Sequence, residues 1–428
     1  MYSAQWTRLD NAAKIFPPST TKDDTKVFRF SSELYEEVDA AILQNALNAA
    51  LEQFPFYRFI IRRGFFWYYF EKSDIVPQVR EEYKPPCAPL YDANRKSLLF
   101  EVSFFRKRIN LELYHALSDG IGALQFLKTI VYYYLLEKHR LPIDATTRLE
   151  DNNASDEQRS GDAFDKYYAK EKPVKIPKLP HAYRVKGERY PESRLGVIEG
   201  HVSAAALLQK AHSFQTTLGE LLAGLLICSI HEGMNLRDEN RPVSLTIPVD
   251  LRRYFVTPTA RNFFSIINVS YDFAANGPRF EDVLAKVRLS FKDQLRPEKI
   301  HERLNALIAL EHAPYLKVVP LAVKAPVLKN AAWKAEKDDS AAFSNIGKIT
   351  MPAELVPHIR LFSLCASTKR PLVGITSFED TLVISFSSPF VSSDVERYFF
   401  RTLSGFGLDV EIVSNMAEQT GAQYAVLS

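Results

Sequence analysis

Tyr114-His115-Ala116-Leu117-Ser118-Asp119-Gly120 stands where one periodicity gives way to another. Before it, Leu111-Glu112-Leu113-Tyr114 alternates with period two, as a strand does. After it, Ile121, Leu124, Leu127, Val131 and Leu135 recur at spacings of three and four, which predicts an amphipathic helix from Gly120 to about Glu137. A histidine is thereby placed at a strand end, in a sharp turn, ahead of a helix. Irregular segments held by a rigid scaffold are where reactive side chains usually sit. The spacing alone does not decide the matter: with 9 histidines and 51 acidic residues, one His-x-x-x-Asp is unsurprising. A general base is identified by geometry, and an Asp ahead of a helix has a structural use in capping its first amides.

The remaining composition narrows the class. A chain of 428 residues exceeds one ordinary core and points to two domains or one large one. Its 46% hydrophobic and 25% charged residues are the balance of a folded globular protein. The net charge of +3, without a Lys/Arg run able to track phosphates, gives no reason to expect a nucleic-acid partner. Cys87, Cys228 and Cys365 are widely spaced, match no metal pattern, and fit inert thiols in a reducing compartment. The N-terminus lacks a signal-peptide pattern. The most apolar run, Leu218 to Ile230, is too short for a membrane span and is interrupted by Glu220. These features predict a cytoplasmic protein without a membrane span or metal site.

Along the chain, residues 26–31 read as a strand and Val38 to Phe54 as a helix. Phe56 to Arg62 and Phe65 to Phe70 form a hairpin about Arg63-Gly64. Ser97 to Phe105 and Ile109 to Tyr114 are strands on either side of a basic turn. Ala145 to Tyr168 and Lys170 to Pro180 read as a polar connector. The second half predicts a strand at Ser193 to Val202, then helices at Ala204 to His212 and Thr217 to Glu232, with Thr216 as a cap for the latter. Strands follow at Val243 to Pro248 and Asn262 to Phe273. Helices are expected at Phe280 to Gln294, His301 to Val319 and Ala322 to Ala335. The tail predicts strands at Ala342 to Ile346, Ile359 to Ala366, Leu372 to Phe378 and Thr381 to Phe386, with a closing helix at Ser393 to Phe406. Strand and helix do not alternate strictly, and no Gly-rich phosphate fingerprint is present. The fold class is therefore α+β, or mixed α/β, in two halves. Trp67 to Phe70 and Tyr132 to Tyr134 read as core first and as the wall of an apolar tunnel second.

The motif resembles the His-x-x-x-Asp-Gly signature of the chloramphenicol-acetyltransferase-like superfamily, which includes condensation domains, plant acyltransferases and alcohol acetyltransferases. Pro248-Val249-Asp250-Leu251-Arg252, Arg261-Asn262-Phe263-Phe264-Ser265 and Phe343-Ser344-Asn345-Ile346-Gly347 resemble that group's second-half signatures in order and spacing. Tyr114 stands where condensation domains usually carry a first histidine. Ser385-Phe386-Ser387-Ser388-Pro389-Phe390 stands roughly where plant acyltransferases carry Asp-Phe-Gly-Trp-Gly.

The resemblance implies two similar lobes, each a largely antiparallel mixed sheet flanked by helices, with a tunnel between them. Residues 1–168 would form the first lobe and residues 169–428 the second. It implies an acyl transfer, by preference of acetyl, with no permanently bound cofactor. The donor would be acyl-CoA, or an acyl thioester on a separate carrier protein, and the acceptor a small alcohol or amine. His115 would be the general base. Asp119 would turn away from the substrate and pair with Arg252, with Gly120 easing the turn. Asp250 would support the same loop or simply serve a turn after Pro248. Asn262, Ser265, Ser344 and Asn345 are candidate donors to the oxyanion or substrate. A stand-alone condensation protein and a catalytically silent acyl- or partner-binding homologue are the alternatives.

Overall fold

The computed structural model describes residues 6–142, 149, 161–168, 180–191, 194–312 and 318–416. The alternating run that ends at Tyr114 is the strand Arg108–Tyr114, and it lies in the middle of a five-stranded sheet. The order is Ile359–Ala366, Val27–Leu34, Arg108–Tyr114, Phe100–Phe105 and Arg80–Glu81, antiparallel except at the last pair. Two helices cover one face, Ala40–Gln53 and Gly120–His139. Asp39 caps the former by accepting from the amides of Ala41 and Ile42. Leu43, Leu47, Phe126, Leu127 and Ile130 are fully buried between these layers.

A seven-stranded sheet organises the second half, in the order Phe264–Tyr271, Val243–Asp250, Ala341–Ile349, Leu372–Phe378, Thr381–Ser388, Gly196–Ser203 and Glu411–Ser414. Ala341–Ile349 runs parallel to both neighbours and the other pairs are antiparallel. The class is mixed α/β with two main sheets, both mixed: one parallel pair at the edge of the first and two in the middle of the second. Leu218–Glu232 is buried along most of its length, so its apolar sequence is explained by the core. Its cap is Thr217 rather than Thr216: the Thr217 hydroxyl accepts from the Glu220 amide, and the Glu220 carboxylate accepts from the Thr217 amide. No single helix among the described residues is long and apolar enough to cross a membrane.

The strand Ile359–Ala366 belongs by sequence to the second half and by hydrogen bonding to the first sheet. With the lobes proposed as residues 1–168 and 169–428, the second lobe thus lends a strand to the first. A charged network ties the sheets at that seam. Arg108 donates to Glu33 at 2.7 Å and to Glu199 at 3.0 Å, and Arg360 pairs with Glu33 and with Glu411.

Several boundaries differ from the sequence reading. Pro55 opens a short 3-10 helix, Pro55–Arg58, so the hairpin strands shift to Phe59–Arg63 and Tyr68–Lys72 and gain Trp6–Arg8 as a third strand. Proline at the first helical position fixes φ and sacrifices no needed donor. One helix begins at Pro297 rather than His301 and is described to His312. The connector lies largely outside the described residues. Within it, Ala163–Lys166 is a short helix whose Phe164 packs edge-on to Phe263 at 5.2 Å. Phe70, Tyr132 and Tyr134 are core. Cys87 and Cys228 are unreactive by environment: burial raises both thiols, that of Cys228 to about 12.

Candidate active site

Asp119 ends the turn after the first-sheet strand and starts the Gly120–His139 helix. Its Oδ1 accepts from the Gly122 amide at 2.9 Å, which makes it the helix cap. The same carboxylate takes a two-pronged contact from Arg252, Nη1 to Oδ2 at 2.9 Å and Nη2 to Oδ1 at 3.2 Å. Oδ2 also accepts from the Phe263 amide at 2.7 Å. Capping and ion pairing are therefore two uses of one group.

Arg252 is satisfied in full. Nη1 reaches Asp250 at 3.0 Å, Nη2 the Arg261 carbonyl at 2.7 Å and Nε the Thr259 carbonyl at 2.9 Å. With the two bonds to Asp119, each of the five N–H donors of a guanidinium has an acceptor. Burial opposes its charge, but Asp119 and Asp250 outweigh that and raise its pKa. Asp250 also accepts from the Arg252 amide at 3.1 Å, closing the turn from which the guanidinium projects. The pair thus clamps the motif turn to the loop 259–263 of the second half.

Gly120 does not adopt a left-handed φ; among described residues the positive-φ glycines are Gly277, Gly347 and Gly407. Its smallness serves a close approach instead, since a Cβ there would sit 3.3 Å from Cδ1 of Ile346. Ile346 is the extra residue of a bulge between Asn345 and Gly347, and bulges re-aim side chains in this way. Gly122 is tighter still. A Cβ would lie 1.9 Å from the Ala260 carbonyl oxygen, so the helix can approach the second-half loop only as glycine. Gly122→Ala is expected to destabilise the protein by about 1–3 kcal/mol or more, the usual range for overpacking. Chemical denaturation measures this, and an unchanged midpoint would contradict the contact.

His115 closes the strand, its amide donating to the Lys26 carbonyl at 2.8 Å. Its imidazole stacks on Phe16 at 4.5 Å and meets Phe28 edge-on at 5.0 Å, with Phe264 at 5.5 Å. Burial among these rings lowers its pKa from the ordinary 6.5, which keeps the ring neutral near pH 7.

The tautomer follows from Asn262. The Asn262 Nδ2 donates to Asp10 Oδ2 and to the Ala116 carbonyl, each at 3.3 Å. Both partners are acceptors, so the amide nitrogen must face them and Oδ1 must face His115. Nδ1 lies 3.2 Å from that oxygen. An amide oxygen only accepts, so Nδ1 carries the hydrogen and Nε2 keeps its lone pair.

Asp10 is a site residue that the sequence reading missed. It is fully buried, accepts from the Ala13 amide at 2.7 Å and pairs with Arg261 at 3.5 Å. Burial raises its carboxyl to about 6 despite Arg261. An Asp near an N-terminus carries no periodic or motif signal, so only the fold could bring it to Asn262. Phe16 was missed for the same reason, whereas Phe28 and Phe264 lie in a predicted strand and a quoted signature whose approach to His115 no spacing records.

The other candidates are more distant in role. Asn262, proposed as an oxyanion donor, has its NH2 group committed to Asp10 and Ala116. Ser265 is buried on Phe264–Tyr271 opposite Val249. Ser344 and Asn345 lie on Ala341–Ile349 just before the bulge, Asn345 exposed. Among the described residues, no hydrogen bond joins Ser265, Ser344 or Asn345 to His115.

No family model and no curated protein matches this sequence. Solved structures do match over nearly the whole chain. TRI3 trichothecene 15-O-acetyltransferase from Fusarium sporotrichioides aligns over 95% of this chain and 96% of its own, with TM-score 0.60 and 10% identity. TRI101 of F. graminearum, complexed with coenzyme A and T-2 mycotoxin, aligns over 92% and 97%, with TM-score 0.62 and 12% identity. The first condensation domain of the calcium-dependent antibiotic synthetase aligns over 100% of both chains, with TM-score 0.59 and 13% identity. The fold is that of the acetyltransferases and condensation domains. In this acetyltransferase-like fold the His115 turn and the Arg252 loop come from opposite halves, so the site exists only once both are assembled.

Proposed function

We propose that this protein is an acyltransferase that moves an acyl group, by preference acetyl, from a coenzyme A thioester to a hydroxyl or amine, with His115 as general base. The observation that carries this reading is the tautomer set by Asn262. A neutral imidazole with its proton fixed on Nδ1 has its basic lone pair on Nε2, and the surrounding rings hold it neutral.

In the proposed reaction Nε2 takes the proton of the acceptor O–H or N–H as that atom attacks the thioester carbonyl. The tetrahedral adduct collapses with cleavage of the C–S bond. The imidazolium returns its proton to the departing thiolate, giving an ester or amide and free coenzyme A. No acyl-enzyme forms, so Ser118 and the cysteines have no covalent part. Ser118 instead hydrogen-bonds the Ala260 carbonyl. With the Asn262 amide engaged, Ser265, Ser344 and Asn345 are left as the candidate oxyanion donors, a role worth several kcal/mol where such groups are pre-positioned. Arg252, Asp119 and Asp250 orient the turn rather than touch substrate.

Thiol release from acetyl-CoA in the presence of alcohols and amines tests the assignment. The second reading, a stand-alone condensation protein, is favoured by the full-length match to a condensation domain. Transfer from a loaded carrier protein without any coenzyme A turnover would select it. Tight acyl-chain binding with neither turnover would select the silent homologue.

The pH profile has a definite sign. Neutral His115 is the active form and its pKa lies below 6.5. The acidic limb of kcat/KM is therefore expected below pH 6.5, with activity falling as pH falls through it. A limb above that value would show that burial does not control the base. The linkage to folding has the same sense: the stability tied to a depressed histidine is present above its unfolded pKa and is lost as pH falls through the folded one.

A further inference from the structure

The Gly120–His139 helix is about 30 Å long by its rise per residue, and three ligand-type side chains meet at the end away from His115. His139 is its last residue, Glu36 follows the strand Val27–Leu34, and His358 ends the 3-10 turn Val356–His358 that leads into the strand lent by the second half. One ligand atom from each lies within 4.8 Å of the other two. The rings of His139 and His358 stack with centroids 3.6 Å apart and planes at 21°. With Tyr134 and Lys138 nearby, the same three residues line a cavity of about 10 Å³, roughly the room that one small occupant needs.

We propose that Glu36, His139 and His358 form a binding site for one divalent transition-metal ion of the zinc class, with water completing its coordination. Two imidazoles and one carboxylate are a zinc-type donor set, whereas calcium and magnesium favour oxygen alone. The stacked pair brings one nitrogen of each ring within 4.8 Å of the other, and coordination would turn the rings so that both nitrogens face the ion. Glu36 is exposed and gives the ion an open approach. Lys138 at the rim opposes a cation, and its long stem lets the ammonium swing into solvent.

The ion would join three segments of both halves. The Tyr35 amide already donates to the His358 carbonyl at 3.1 Å, so the crossing strand enters the first sheet at this point. A bound ion would fasten that entry.

The test titrates the metal-stripped full chain with Zn²⁺ against a chromogenic chelator and follows Tm with and without Zn²⁺. Expected are one Zn²⁺ per chain and a higher Tm in its presence. His139→Ala and His358→Ala should each weaken binding at least about tenfold, since loss of even an outer partner typically costs 10–100-fold, and should abolish the Tm rise. Glu36→Gln, in an exposed loop, supplies a variant that keeps the fold and should also bind more weakly. Equal affinity in the wild type and these variants, or no Tm rise in the wild type, overturns the site.

Discussion

Asp119→Ala is expected to cost about 3–5 kcal/mol of stability, the range found when one partner of a buried ion pair is removed. The loss has three parts that the geometry separates. The Gly120–His139 helix loses its cap at Gly122, the Phe263 amide loses its acceptor, and two of the Arg252 bonds are left unmade inside the protein. Arg252→Ala should be comparably damaging, because it strands the Asp119 and Asp250 carboxylates together. The double variant should cost clearly less than the sum of the single ones, as expected for groups in direct contact. Urea denaturation of the four proteins of that cycle measures the coupling. Strict additivity, or a loss for Asp119→Ala below about 0.5 kcal/mol as at ordinary surface positions, would remove the clamp from the account. Activity should fall together with stability, since the clamp holds the turn that presents His115.

His115→Ala is expected to behave differently. Positioned base catalysis typically contributes ~10²–10⁴-fold, so kcat for thiol release should fall by about that factor. The fold should survive, because Asn262 keeps its Asp10 and Ala116 contacts and the Arg252 clamp is untouched. The separation of the two outcomes is the discriminating feature: Asp119→Ala loses stability and activity, His115→Ala loses mainly activity. Equal rates for wild type and His115→Ala would sink the base assignment while leaving the clamp intact. Changing Asn262 to Ala should reduce kcat more than it raises KM, since it removes one of the two acceptors that hold the ring, the other being the His115 backbone itself.

The local elements were legible where periodicity is strong. The strand into Tyr114, the helix after Asp119 and the apolar Leu218–Glu232 helix all follow from spacing, because side chains must repeat at 2 or 3.6 residues to keep one face buried. The failures are equally physical. Pro55 shortened a strand because its ring favours a helical start, and the crowding of a Cβ at Gly120 against Ile346 is something no local pattern encodes.

The sequence by itself determined where the chain would change from strand to helix and which residues were candidates for the chemistry. Those properties depend on residue type and on neighbours a few positions away. Tertiary structure alone decided that Asp10 would hold Asn262, that Asn262 would fix the proton on Nδ1 of His115, and that Ile359–Ala366 would cross into the first sheet. These contacts join residues at least 147 positions apart, and a hydrogen bond carries direction that spacing does not record. The motif supplies an imidazole; the packing of the two halves leaves its lone pair on one particular nitrogen, where the proposed base would act.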